Sequence, residues 1–202
     1  MKKSIIISSI LCASTINVYA DSMTNQPMIL KAQLDRAQVT HPLDKASDAS
    51  KAAHPFYKKF CKNKTAMPYK NAHGEAILFF NPTTNTVQYA LAYQDLSGPP
   101  IMAHFHIGKI GQGGPIYQTI CGHPPPGNQA LGYSASKAAS SMKCPLTRSG
   151  FMVGEFKIKA NQHVSGVDTI NKVRQALIDG KLYFNIHTCL NEAGEIRGQV
   201  IR

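Results

Sequence analysis

Three histidines in two short alternating segments carry most of the chemistry in this chain of 202 residues. His104 and His106 lie in the run AHFHIG, and on a β-strand side chains two residues apart point to one face, roughly 7 Å apart. His187 lies in the run LYFNIHT near the C-terminus, which alternates in the same way. Three imidazoles in one place suit copper or zinc. We therefore predict a metal site, with His123 as the fourth ligand because it follows Cys121 closely in sequence.

The same histidines also have a purely structural explanation. Polar groups inside a β-barrel can hydrogen-bond to one another and hold the register of the strands. Only a neutral imidazole coordinates a metal, so metal binding should weaken as the pH falls through about 6.5. Tyr183 and Asn185 share the face of His187, and they either support the ligands or only pack beside them.

Glu195 and Arg197 are two residues apart in the last predicted strand and share a face. We expect them to form a local ion pair, or to hydrogen-bond to the backbone, and so to hold the C-terminal hairpin together. The alternative is an arginine that guides an anion to the site. The sequence has no Gly-x-Ser-x-Gly motif, phosphate-binding loop or dinucleotide-binding glycine pattern, so nothing in it anchors a hydrolase or a nucleotide-binding enzyme.

Alternating segments predict the short β-strands that position these residues. The segments are residues 75–80, 86–93, 101–108, 115–121, 151–160, 182–187 and 195–201, with a turn at 191–194 favoured by Gly194. One helix is predicted at about 166–179, because Ser165 can cap it, Asp168 completes a capping box and Gly180 ends it. The fold class is therefore all-β, with one short crossover helix on a barrel or sandwich.

The first twenty residues are typical of a signal peptide. Lys2 and Lys3 precede an apolar stretch that is too short and too interrupted by polar residues to span a membrane, and Ala20 ends a cleavage pattern. We therefore predict an exported protein, periplasmic or secreted and not transmembrane. Its parts are a signal peptide (residues 1–20), an N-terminal extension (21–69) and one domain (70–202).

The chain is basic, with 22 Lys and Arg against 11 Asp and Glu and a formal net charge of +11. Such a charge favours an anionic partner in the cell envelope or outside the cell. The basic residues are scattered and are not combined with aromatic residues in a recognition motif, which argues against nucleic acid as the partner.

Four cysteines remain once the signal peptide is removed, and in an oxidising compartment they suggest two disulfides with three alternative connectivities. Cys121 and Cys144 flank a segment rich in Pro, Gly and Ser, and closing this loop would contribute about 3 kcal/mol in the chain-entropy model. That leaves Cys61 for Cys189, a bond that would tie the extension to the C-terminal hairpin. A structural zinc site competes with this prediction, but the sequence has no Cys-x-x-Cys pair.

Several of these runs, taken in order, resemble the CHRD domain, a family named for its occurrence in chordin. The matching runs are GEA at 74–76, LSG at 96–98, AHFHIG at 103–108, GKLYFNIHT at 180–188 and GEIRGQ at 194–199. The resemblance covers about residues 70–202. It implies an antiparallel Greek-key β-barrel or sandwich, similar in architecture to copper/zinc superoxide dismutase, and bacterial members of the family are exported proteins.

Two classes of function remain open. The first is an exported binding module that holds copper or zinc and contacts an envelope or extracellular partner. The second is a metal redox enzyme of the superoxide-dismutase type. Against the second, the sequence has neither a bridging histidine in the expected loop context nor a zinc loop rich in His and Asp. We therefore expect a binding module, such as a metal carrier or sensor, rather than an enzyme.

Overall fold

The computed structural model describes residues 25–40, 71–122, 143–161 and 164–202. Its elements are β1 (Met28–Asp35), β2 (His73–Asn81), β3 (Thr86–Gln94), β4 (Pro100–Ile107), β5 (Ile116–Gly122), β6 (Gly150–Lys157), α1 (Ile170–Ile178), β7 (Leu182–Thr188) and β8 (Asn191–Gln199). All paired strands are antiparallel, which confirms the predicted all-β class. The predicted signal peptide, Cys61 and His123 lie outside the described residues.

The strands form one sheet in the order β5-β4-β7-β8-β1-β2-β3-β6. Three neighbouring pairs, β4 with β7, β8 with β1 and β3 with β6, are not consecutive in the chain, which is typical of Greek-key connections. The two strands at the ends of this order also approach each other. Tyr117 of β5 meets Phe156 of β6 with ring centroids 6.3 Å apart. The sheet is therefore nearly closed into a barrel, as predicted.

The aromatic core fixes the inner face of β4. The ring centroid of Phe105 lies 4.2 Å from Phe184 of β7, 5.4 Å from Tyr89 of β3 and 5.0 Å from Phe156 of β6. Burying large apolar side chains of this kind stabilises the fold by roughly 1.5–3 kcal/mol each. Because successive side chains on a strand point to opposite faces, the neighbours of Phe105 must point out of the barrel.

Strands β4 and β7 are buried on both faces, whereas β2 and β3 are exposed on one. Ala103, Phe105 and Phe184 belong to the barrel core. His104 and His106 therefore point to the outer face, where the backbone carbonyl of Gly114 accepts a hydrogen bond from the His106 ring. His104 and His106 therefore lie on the outside of the barrel, beneath a loop. The explanation that they are polar groups inside the barrel does not hold.

Strand β1 lies within residues 21–69, for which the sequence analysis predicts no strand. Its burial alternates strictly along its length, and the buried side chains are Met28, Leu30, Ala32 and Leu34. It pairs along its whole length with β2 and meets β8 where Asp35 lies opposite Arg197. Part of the predicted extension thus belongs to the same sheet as the rest of the domain.

The helix lies between β6 and β7 as predicted, but it begins later. Thr169 is the N-cap and its hydroxyl accepts from the Lys172 backbone N–H at 3.2 Å, so the predicted cap at Ser165 is wrong. Asp168 instead forms a salt bridge of 2.9 Å with Lys172. Val173 anchors the buried face of the helix. Within the described part of the chain, no helix has the length and apolarity to cross a bilayer.

The C-terminal hairpin turns earlier than predicted. Strand β8 begins at Asn191, opposite Thr188, so the turn is formed by residues 189–190 and not by 191–194. The side chain of Asn191 explains this, because its amide donates to the hydroxyl of Ser97 at 3.2 Å and its oxygen accepts from Arg36 at 2.9 Å. The other six predicted strands correspond to β2–β7.

One of the two predicted disulfides is present among the described residues. Cys121 and Cys144 are bonded, with their Cα atoms 5.0 Å apart and a sequence separation of 23. Cys189 is also disulfide-bonded. Because Cys61 lies outside the described residues, its pairing with Cys189 stays a prediction.

Candidate metal centre

Strands β4 and β7 bring three histidines to one point on the outer face of the barrel. His104 and His106 come from β4 and His187 from β7, and one nitrogen of each ring lies within 4.8 Å of the others. All three side chains are at least nine-tenths buried. The two strands are direct neighbours in the sheet, although the histidines are far apart in sequence. The structure therefore assembles the cluster that the sequence analysis predicts as a metal site.

Backbone carbonyls orient two of the three rings. His106 Nδ1 lies 2.9 Å from the carbonyl oxygen of Gly114, and His187 Nδ1 lies 2.8 Å from that of Glu192. A carbonyl oxygen can only accept, so both Nδ1 atoms carry a proton, and the Nε2 atoms are the ring atoms through which these two histidines could bind a metal. A backbone carbonyl behind the ring is the usual arrangement of histidines that bind metals.

One distance within the cluster is compatible both with a long hydrogen bond and with a shared metal. His104 Nδ1 lies 3.4 Å from His187 Nε2. Two nitrogens that bind one tetrahedral ion at about 2.0–2.1 Å are separated by about 3.3–3.4 Å. In addition, His106 Nε2 is buried without a hydrogen-bond partner among the described residues. The three imidazoles could therefore hold a metal ion.

Burial keeps the rings neutral. Desolvation, with smaller contributions from His187 and His106, holds the pKa of His104 well below its usual value of 6.5. Burial likewise lowers the pKa of His106 to about 3, against a raising effect of the Gly114 carbonyl. The expectation that protons compete with metal at about pH 6.5 is therefore wrong for these two rings, which stay unprotonated in the folded protein well below that pH.

A cleft of about 650 Å³ opens onto the cluster. His106 and His187 line it, together with Tyr183, Asn185 and the glycine-rich segment 111–114, whereas His104 is fully buried and does not reach it. The cluster is therefore closed on the His104 side and open to a further ligand on the side of the cleft.

Tyr183 supports His106 through its ring. The two rings are stacked, with centroids 4.8 Å apart and planes 7° apart. The Tyr183 hydroxyl accepts from the Gly114 backbone N–H at 3.0 Å, and burial raises the pKa of that hydroxyl. Tyr183 and Gly114 thus contact each other and both contact His106, so the three groups hold the ring in one orientation.

Arg197 packs against the ring of Tyr183. Its guanidinium lies 3.5 Å from the Tyr183 ring centroid. One ring face cannot hold both groups at these distances, so Tyr183 is sandwiched between His106 and Arg197. Arg197 also donates to the carbonyl oxygens of Lys109 at 2.9 Å and Gln112 at 2.8 Å. It therefore fixes the loop that carries Gly114, and burial lowers the pKa of its guanidinium.

Glu195 makes separate contacts and no ion pair with Arg197. Its buried carboxylate accepts from the backbone N–H and hydroxyl of Ser97 and from the hydroxyl of Thr188. These bonds tie the β3–β4 loop to the hairpin that carries His187. Of the two predicted alternatives for Glu195 and Arg197, the ion pair is absent, and each group bonds to backbone groups of a neighbouring loop.

Asn185 lies in the wall of the cleft, on the same face of β7 as the other site residues. Its Oδ1 is buried without a hydrogen-bond partner among the described residues. Gly194 lies against it, with φ of 125°, and a Cβ at this position would come 2.5 Å from Oδ1. The sequence analysis assigns Gly194 to a turn, whereas in the structure it makes room for Asn185 within β8.

The backbone partners of the site could not be predicted from the sequence. Gly114 and Glu192 act through their carbonyl oxygens, which no side-chain pattern can indicate. The local signal at Gly114 was the glycine-rich segment 111–114. Of the predicted ligands, His123 lies outside the described residues, so its role stays a prediction.

The comparison with family models identified a CHRD domain over residues 61–200. Neither the comparison with curated proteins nor that with solved structures gave a match. The matched range includes β4, β7 and β8, which carry the histidine cluster and its supporting residues. Because the match covers well over half of the chain, this protein belongs to the CHRD-domain family.

Proposed function

We propose that this CHRD-domain protein is an exported binding module that holds one copper or zinc ion through His104, His106 and His187. The observation that supports this proposal is the convergence of three buried imidazoles, two of them fixed by backbone carbonyls. Leaving such polar atoms buried without partners would cost about 1–3 kcal/mol each. A bound metal ion would remove part of that penalty.

A bound ion would supply a Lewis-acidic centre at the floor of the cleft. The chain itself supplies the ring orientation through Tyr183, Gly114 and Glu192 and excludes water from the His104 side. The cleft would leave the ion accessible for transfer or for contact with a partner. None of the described features favours the redox-enzyme alternative specifically, so we do not propose it as a second function.

The proposed location and partner follow from the sequence. A signal peptide at residues 1–20 would export the chain, and the Cys121–Cys144 disulfide is compatible with an oxidising compartment. The net charge of +11 favours an anionic envelope or extracellular partner.

The test is metal binding by the purified, oxidised protein. Copper(II) and zinc(II) titrations of the metal-free chain should reveal one site per molecule, and His104→Ala or His187→Ala should abolish it. His73→Ala is the matched control, because His73 is an exposed histidine at the start of β2 and is not part of the cluster. Circular dichroism should show that the variants remain folded. A wild-type protein with no site tighter than exposed histidines provide would contradict the proposal.

A further inference from the structure

We propose that Met102 supplies a thioether ligand to the ion held by His104, His106 and His187, and that the centre therefore selects copper(I) over zinc(II). This inference rests on the metal site proposed above and concerns which ion that site takes. It follows from the position of Met102 on β4 and from the charge of the groups around the cluster.

Met102 lies on the face of β4 that carries the histidines. It precedes His104 by two residues, and in the sheet it lies directly opposite His187. Residues directly opposite on antiparallel strands have Cβ atoms about 4.5–5.5 Å apart. A methionine side chain has three rotatable bonds that allow its sulfur to adjust to a nearby group. The position therefore brings a thioether beside two of the three proposed ligands.

Met102 is buried apart from the barrel core. Ala103 and Phe105 belong to the large core cluster, whereas Met102 is 1% exposed and packs in a separate small group with Ile101 and Cys189. It is absent from the lining of the cleft. Met102 is thus buried on the closed side of the cluster, where a sulfur ligand would be shielded from water and from oxidation.

The charges around the cluster point to a monovalent ion. An imidazole that coordinates a metal is a neutral ligand, and among the described residues no Asp, Glu or Cys joins the cluster. The buried carboxylate of Glu195 is occupied by Ser97 and Thr188. The cationic Arg197 lies across the Tyr183 ring from His106.

With the described groups alone, a divalent ion would place two positive charges in the site, close to that of Arg197. Copper(I) would place one, and the desolvation cost of an ion rises steeply with its charge. Thioether ligands also favour copper(I), whereas zinc favours thiolate, imidazole and carboxylate. The charge of the site and the thioether ligand therefore both favour copper(I).

The test compares Met102→Leu with Met152→Leu, since both methionines are buried and this exchange preserves side-chain volume. Met152 belongs to the main core on β6 and serves as the matched control. Copper(I) affinity is measured without oxygen or thiols, by competition with a chromogenic chelator. Zinc(II) affinity is measured in parallel. X-ray absorption at the copper edge reports whether sulfur is bound.

Met102→Leu should lower copper(I) affinity by about tenfold or more while changing zinc(II) affinity by less than about threefold. It should also remove the sulfur signal, which Met152→Leu should retain. Unchanged copper(I) affinity in Met102→Leu, or a wild-type spectrum without bound sulfur, would overturn the inference. The proposed function would still stand if His104→Ala loses all metal binding. Failure of the wild-type protein to bind any of these ions would overturn both.

Discussion

The buried histidines should make the metal-free protein unusually sensitive to mild acid. The pKa of His106 is about 3 in the folded state and about 6.5 in an unfolded chain. Above pH 6.5 both states are neutral and the histidine contributes no pH dependence. Below pH 6.5 the unfolded state takes up a proton that the folded state cannot, so the free energy of unfolding falls until the folded state is protonated near pH 3.

The magnitude follows from the same values. Each pH unit below 6.5 lowers the free energy of unfolding by about 1.36 kcal/mol for each such histidine. Between pH 7 and pH 5, His106 should therefore account for a loss of about 2 kcal/mol. His104 should add to it, because burial lowers its pKa in the same direction.

Chemical denaturation of the metal-free protein at several pH values between 5 and 8 measures this effect. His106→Gln should be less stable than the wild type at pH 7, but it should lose about 2 kcal/mol less on going to pH 5. His73→Gln, a change at an exposed position, should follow the wild-type curve. If His106→Gln and the wild type lose stability in parallel over this range, His106 is not held neutral by burial and the reasoning is refuted.

Two further substitutions probe the supports of the site. Gly194→Ala should lower the free energy of unfolding by about 2–4 kcal/mol, because φ is 125° and the new Cβ would meet Asn185 at 2.5 Å. Gly166→Ala is the control, because Gly166 has a φ of 83° but no atom within 4 Å of a Cβ, and it should lower the free energy of unfolding by only about 1–2 kcal/mol. Equal losses for the two variants in chemical denaturation would exclude the Asn185 contact as the cause. Arg197→Met should cost about 3 kcal/mol or more, because it leaves carbonyls of segment 109–112 without a donor. Thermal denaturation would show this, and a variant as stable as the wild type would mean that the loop does not depend on the guanidinium.

The strands could be predicted wherever a half-buried face leaves an alternating pattern in the sequence. β2 and β3 are of this kind, and their predicted bounds differ little from the observed ones. β1 has the same alternation, but it lies in a segment with few other signals and was not predicted. The helix start was misplaced because Ser165 and Thr169 both have capping side chains, and only packing against the barrel decides which one is used.

The supports of the site were less predictable than its ligands. Tyr183 and Asn185 could be placed on the histidine face from alternation alone. The role of Arg197 could not, because its contacts with Tyr183 and with the loop carbonyls depend on residues that lie far away in sequence. Its spacing from Glu195 indicated an ion pair, yet each group found partners on a different loop.

By itself the sequence determined the local properties of this protein. It placed His104 and His106 on one face of a strand, because side-chain direction depends only on the two-residue period of the backbone. It also indicated an all-β chain of the CHRD type with one helix. The tertiary structure decided that His187 joins them, since β4 and β7 become neighbours only through the order of strands in the whole sheet. It likewise decided how the cluster is buried, because the loop that covers it directly follows β4, whereas Arg197, which holds that loop in place, comes from β8 and reaches it only when the barrel forms.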